Sequence, residues 1–271
     1  MISSIQHIST LELPELEPYK TLRRPAEHLE QGIFVAEGEK VILRLLDSAL
    51  VIQSILLSQD WFDEHQTLIE RNANTIEVFI GGKKLLETIV GHVLHQSIMG
   101  VAKVPKPITS EEILDTLAAD HRLFVLVDGI TNAENMGVIT RNCVCFGVDA
   151  VLVLPNSCDP YLRRSVRNSM GNIFQIPIVY IHNTIEEIKR LKQSGVRFYA
   201  AHPHAKSIDI RSASFSKNSC IVFGAEGPGI SSEVLELCDD FVSIPMKAGV
   251  DSLNVASASA VLLWELQKNT N

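Results

Sequence analysis

No stretch of this 271-residue sequence approaches the run of about 18 apolar residues that a membrane-crossing helix takes. The segment MISSIQHISTLELPELEP lacks both the basic start and the apolar core of an export signal. A cytoplasmic protein that does not span a membrane is therefore expected. Cysteine is scarce: Cys143, Cys145, Cys158, Cys220 and Cys238 are odd in number and have no CxxC pairing. That argues against a disulfide framework and a structural zinc, and leaves them as small buried hydrophobes. No cysteine stands beside an evident base, so nothing points to a thiol nucleophile. His92/His95 and His202/His204 lie close in sequence, but neither pair has a nearby third ligand or the i, i+4 spacing of a zinc helix; no metal site is expected.

Excess positive charge is missing too. The net charge is −8, whereas phosphate neutralisation takes clustered Lys and Arg. Two local exceptions are Arg23 with Arg24, and the run Arg163, Arg164 and Arg167. They form either a basic stripe for nucleic acid on an acidic body or a solvated face with counter-charges nearby.

What is present is a strand–helix alternation interrupted once. In the first part, 34–37 leads into an amphipathic helix at 39–49, followed by a strand at 51–57, a helix at 61–71, a strand at 75–80, a helix at 83–90 and a strand at 96–102. This describes a small α/β domain. The two prolines of Val104-Pro-Lys-Pro107 then break the pattern as a semi-rigid connector, which divides the chain into 1–106 and 107–271. Apolar strands follow at 123–127, 151–154, 176–181, 198–201, 221–223 and 241–244, separated by helical runs. Strands apolar on both faces indicate a mostly parallel sheet with helices on both sides. Ligands bind such sheets at the carboxyl ends of the strands.

Three segments fall at those ends: NAENMGVITR at 132–141, GAEGPGIS at 224–231 and IPMKAGVDSLN at 244–254. The glycines of the second run G-x-x-G-x-G, the reverse of the dinucleotide fingerprint, and no Lys-Ser/Thr follows as in a phosphate-binding P-loop. A nicotinamide oxidoreductase is accordingly disfavoured.

In this order the three segments resemble the motifs of the SpoU (TrmH-type) RNA ribose 2′-O-methyltransferases of the SPOUT superfamily. Asn135, Gly137 and Arg141 match its N-x-G-x-x-x-R element, and Gly224, Glu226, Gly227 and Gly229 its G-x-E-G-x-G element. Ile244, Pro245, Met246, Ser252, Leu253 and Asn254 match its I-P-M…S-L-N element, while Arg167, Ser169 and Gly171 match a lesser signature between them. Asn132-Ala-Glu replaces the common Asp-Pro before Asn135, which bears on the rigidity of that turn. The resemblance implies a trefoil knot in the C-terminal domain, S-adenosylmethionine as cofactor, a homodimer, and an N-terminal domain like small RNA-binding ribosomal proteins. By analogy with members carrying such a domain, the RNA substrate is expected to be ribosomal RNA ahead of transfer RNA. A catalytically idle RNA-binding homologue is the competing reading, which the intact Arg141, Glu226, Ser252 and Asn254 oppose.

The same resemblance implies the site. Gly224, Gly227, Gly229, Ile244, Met246 and Leu253 would hold the cofactor, with Ile244, Met246 and Leu253 as its apolar walls; ordinary core packing is the other account of Ile244 and Leu253. Arg141 would face the acceptor hydroxyl as general base or by stabilising the forming alkoxide, with Glu226 as its acidic partner and Asn135 and Asn254 as orienting groups. Ser252 would position substrate or cap the helix that begins near Asn254.

Overall fold

The computed structural model describes residues 2–72, 75–90, 98–116, 121–202, 207–247, 249 and 252–270. The first part of the chain forms β1 (Ile2–Ile8), α1 (Glu17–Lys20), α2 (Pro25–Glu30), β2 (Ile33–Glu37), α3 (Glu39–Leu46), β3 (Ile52–Leu57), α4 (Gln59–Arg71), β4 (Ile76–Gly81), α5 (Lys83–Val90) and β5 (Ile98–Lys103). It continues with α6 (Ser110–Thr116), β6 (Arg122–Asp128), α7 (Ala133–Cys145), β7 (Ala150–Val153), α8 (Arg163–Asn168), β8 (Ile178–Tyr180), α9 (Thr184–Gln193) and β9 (Arg197–Ala201). The last elements are β10 (Ile208–Asp209), β11 (Asn218–Gly224), α10 (Ser232–Leu237), β12 (Asp240–Ser243) and α11 (Val255–Thr270). Residues 96–97 of the strand expected at 96–102, and His92, His95 and His204, lie outside the described residues.

Two compact units result, Met1–Pro105 with Tyr161–Phe174, and Lys106–Pro160 with Gln175–Asn271. The first cut falls inside the proline connector. The assignment of 161–174 to the first unit differs from the division at 106/107, because it depends on long-range contacts that no local pattern carries. Tyr161 and Phe174 both pack on Phe34 of β2 with tilted rings, the centroids 5.3 and 5.6 Å from that of Phe34. Arg163 pairs with the buried Glu37 carboxylate, and Arg44 donates to the Met170 carbonyl at 2.5 Å.

The first unit's sheet has the order β1-β4-β3-β5-β2, parallel from β1 to β3 and antiparallel from β3 to β2. Leu16, Tyr19, Val35, Leu56, Phe79, Leu86 and Met99 fill one of its cores. Edge strand β1 was not expected, since its sequence ISSIQHI has four polar residues in seven and no alternation. Pairing with β4 specifies it, not an apolar face.

The second unit's sheet has the order β10-β12-β9-β11-β6-β7-β8, with every pairing parallel. All seven residues of β6 are buried, as the continuous apolar run requires of a central strand. On one face Phe124, Leu126, Leu152, Val222, Ile188, Leu191 and Val234 make a continuous core that includes α9 and α10. Helices α7 and α11 pack together, and the Asn142 amide ties them by donating to the Ala256 carbonyl and Ser259 Oγ, each at 2.9 Å.

Cys143 and Cys220 are buried, and burial holds both thiols far above their ordinary range. Partial burial pushes Cys158 up to about 11 and Cys238 up to about 12. Cys145 is exposed, contrary to the expectation of a buried hydrophobe. It is the last residue of α7.

Candidate functional site

The ends of β9, β11 and β12 and the start of α11 enclose a cavity of about 530 Å³. Its floor is the loop leaving β11. Ala225 and Gly229 exchange both backbone hydrogen bonds at 3.0 Å, so Glu226, Gly227 and Pro228 form a tight reversal. Gly227 and Gly229 have φ of 93° and 76°, the left-handed region that side chains disfavour. Gly224 leaves room for a close approach by the loop itself. A Cβ placed there would sit 2.3 Å from both the Gly229 carbonyl carbon and the Ile230 nitrogen; the returning backbone of the loop itself occupies that space.

Every residue expected to hold a cofactor, namely Gly224, Gly227, Gly229, Ile244, Met246 and Leu253, lines the cavity. Leu253 is 43% exposed and Ile244 and Met246 are half-buried, so these are walls open to the cavity, not core packing. Ile230, Val242 and Leu262 extend the apolar wall, and Ala201 and His202 at the end of β9 add a side that no motif announced.

Glu226, Ser252 and Asn254 also line the cavity, while Asn135 reaches its edge through hydrogen bonds. Glu226 Oε1 accepts from Asn135 Nδ2 at 2.9 Å and from Asn254 Nδ2 at 2.6 Å, and Asn254 Nδ2 also donates to Asn135 Oδ1 at 3.1 Å. One carboxylate thus joins one residue from each of the three motif segments.

Local folding places each member. Asn132 caps α7, its Oδ1 accepting from Glu134 N at 2.8 Å and from Asn135 N at 3.4 Å, so the sequence that replaces Asp-Pro still starts the helix firmly. Asn254 caps α11 through Oδ1, which accepts from Ala256 N at 2.9 Å and Ser257 N at 3.3 Å. The capping role considered for Ser252 therefore belongs to Asn254. Ser252 is exposed and makes no hydrogen bond among the described residues.

Arg141 departs from expectation. It lies six residues beyond Asn135, about 120° around the helix at 100° per residue. It is exposed, outside the cavity lining, and without a hydrogen bond or ion pair among the described residues. Glu226 is bound to the two asparagines and not to Arg141.

Arg23, Arg24, Arg163, Arg164 and Arg167, the two basic clusters of the sequence, all fall in the first unit. Arg163 is taken by Glu37, and Arg167 lies 3.8 Å from the same carboxylate yet is 44% exposed. Arg23, Arg24 and Arg164 are exposed, Arg24 pairing with Glu27 at 3.4 Å. Burial holds the His28 imidazole below its ordinary value; Glu27 opposes this and Arg163 adds to it, which brings α2 and α8 within electrostatic reach of one another.

Among the described residues no group of three or more His, Cys, Asp or Glu is placed to hold a metal, and no helix is long and apolar enough to cross a membrane.

Residues 122–264 match the SpoU rRNA Methylase family. A 23S rRNA (guanosine-2′-O-)-methyltransferase, RlmB, of Photobacterium profundum is 30% identical over 236 residues, covering 86% of this chain and 95% of that one. The 23S rRNA (guanosine(2553)-2′-O)-methyltransferase RlmP of Bacillus subtilis is 25% identical over 264 residues, covering 97% and 100%. In fold, the chain is similar to the AdoMet-bound rRNA methyltransferase of Sinorhizobium meliloti, with a TM-score of 0.83 at 23% identity, covering 97% of this chain and 98% of that one.

Proposed function

The chain belongs to the SpoU rRNA methylase family, and from that premise we propose that it methylates a ribose 2′-hydroxyl of ribosomal RNA with S-adenosylmethionine as donor. The observation that carries this reading is Glu226, which joins Asn135 and Asn254 at the edge of a cavity lined by the second and third motif segments. The relatives named for 23S ribosomal RNA support ribosomal over transfer RNA.

The cavity fits the donor. Its volume falls in the range of small-molecule sites, about 300–1,000 Å³, which combine apolar walls with a few polar groups. Ile244, Met246 and Leu253 would flank the adenosine, with backbone groups of the Gly224–Ile230 loop beside them. When bound, S-adenosylmethionine supplies an electrophilic methyl group on a sulfonium.

The chain's own task is to position and ionise an alcohol. Asn135 and Asn254 each direct an amide N–H at Glu226, which fixes that carboxylate as an orienting acceptor. Arg141 brings a fixed positive charge. A guanidinium is a poor proton acceptor at neutral pH, so we assign it to stabilising the forming alkoxide.

Arg141 reaches that role through assembly. Helices α7 and α11 pack together, and α11 exposes Val261 at 42% and Trp264 at 53%. A homodimer through this helix pair would bury apolar surface that one core stripe does not need and enclose an arginine that has no partner among the described residues. Sedimentation at micromolar concentration should give a dimer; a monomer would remove this part of the reading.

The trefoil knot in the second unit and the substrate-binding role of the first rest on family membership. Exposed Arg23, Arg24, Arg164 and Arg167 support phosphate contacts by the first unit. A cytoplasmic location follows from the ribosomal substrate.

Ribose-methylation mapping of total RNA from cells with and without the gene tests the proposal. Loss of one ribosomal 2′-O-methyl mark is expected. Loss of a transfer-RNA mark would move the substrate, and no change would favour an idle RNA-binding homologue.

A further inference from the structure

Asp128, the last residue of β6, belongs to none of the three motif segments. Its side chain is buried, at 1% exposure, and both carboxylate oxygens are used. Oδ1 accepts from Asn156 Nδ2 at 2.7 Å, and Oδ2 accepts from the Ser231 backbone N–H at 2.7 Å. Asn156 in turn accepts from the Gly129 N–H through Oδ1 at 3.0 Å. Three charge-assisted or amide hydrogen bonds thereby join three strand-end loops. One end holds Ser231, where the glycine-rich floor of the cavity enters α10. The other holds Gly129, where the chain starts toward α7 and Asn135.

The two loops also run close to one another. A Cβ on Gly129 would lie 3.2 Å from Ala225 Cβ and 3.5 Å from Asn156 Nδ2, so the spacing between the β6 and β11 loops is set with little slack. Asn135, six residues after Gly129, and Glu226, next to Ala225, meet across the same pair of loops at 2.9 Å.

We propose that Asp128 is a positioning residue for methyl transfer, which with Asn156 pins the glycine-rich loop in its donor-binding form and thereby sets donor affinity. The proposal rests on the methyltransferase reading for its ligand, but the pinning itself concerns the chain alone.

The chemistry makes a sharp substitution series available. A carboxylate offers two acceptors, whereas an amide offers one acceptor and one donor. In Asp128→Asn, either the new NH₂ faces the Ser231 N–H, donor against donor, or it faces Asn156, which must rotate and release Gly129. One tether is lost either way. In the double variant Asp128→Asn with Asn156→Asp, residue 128 accepts from Ser231 and donates to the new carboxylate, whose second oxygen accepts from Gly129. All three tethers return with the charge moved one residue outward, to the more exposed position 156.

Two measurements on the full chain test this: amide hydrogen exchange of residues 224–231 without ligand, and calorimetric titration with S-adenosylmethionine. Asp128→Asn should speed exchange in that loop selectively and weaken donor binding about tenfold, close to one hydrogen bond's worth of affinity. KM for the donor should rise more than kcat falls. The double variant should recover both readings to within about twofold of the parent chain. Wild-type exchange in Asp128→Asn, exchange that rises equally across both units, or a folded double variant that fails to recover would each overturn the proposal. Should the parent chain take up no S-adenosylmethionine, the methyltransferase reading fails and the exchange series still decides the role of Asp128.

Discussion

Gly224→Val is expected to abolish measurable S-adenosylmethionine binding, a loss of about 100-fold or more, or roughly 2.7 kcal/mol. The cause is the first carbon of the side chain, not its bulk. A Cβ at this position would sit 2.3 Å from two backbone atoms, the Gly229 carbonyl carbon and the Ile230 nitrogen. Backbone cannot swing aside as the tip of a side chain can, so the paired hydrogen bonds between Ala225 and Gly229 must open and the cavity floor must move. Gly224→Ala should therefore be nearly as damaging as the valine variant. If the damage came from a side chain filling the cavity, alanine would be mild and valine severe. Because Gly224 is the final residue of β11, circular dichroism should show the sheet retained in both variants. Calorimetric titration decides the matter: an alanine variant with the parent affinity would sink this account of the loop.

Arg141→Ala should lose about 10²–10³ in kcat, the cost of removing one preorganised group that stabilises developing negative charge, or roughly 3–4 kcal/mol. Donor affinity should be unchanged, since Arg141 is absent from the cavity lining. Arg141→Lys separates the two possible roles. If the arginine acts by charge, lysine should restore part of the rate while the pH–rate profile keeps its shape. A lysine amine has a pKa near 10.4, so if the position acted as a base, activity should show a new alkaline rise. Single-turnover rates across pH 6–10 would show which occurs, and an alanine variant turning over at the parent rate would remove Arg141 from the mechanism.

The strand and helix series was legible from residue type alone wherever an element buries a face. The all-buried β6 follows from its unbroken apolar run and the helix beginning at Glu39 from its periodicity, because burial on both faces selects apolar residues throughout and burial of one face selects them at fixed intervals. The motif residues were legible for a different reason, since glycine and asparagine at strand ends meet demands of turn and cap geometry that few residue types satisfy. Strand β1 was not legible. An edge strand specified by backbone pairing leaves no alternation to read.

Only the tertiary structure decided which expected partners meet. Arg141 and Glu226 are both motif residues, yet their helix and loop bring Glu226 to Asn135 and Asn254 and leave Arg141 in solvent. Arg163, expected with the other basic residues, is spent on Glu37, which lies 126 positions away in sequence. Asp128, Asn156 and Ser231 form their network across 28 and 103 positions. Sequence periodicity reports the face that each element turns to the core. Hydrogen bonds between loops depend on where strand ends meet once the sheet has ordered its strands, and that order, β9-β11-β6-β7, is set by packing between elements and not within any one of them.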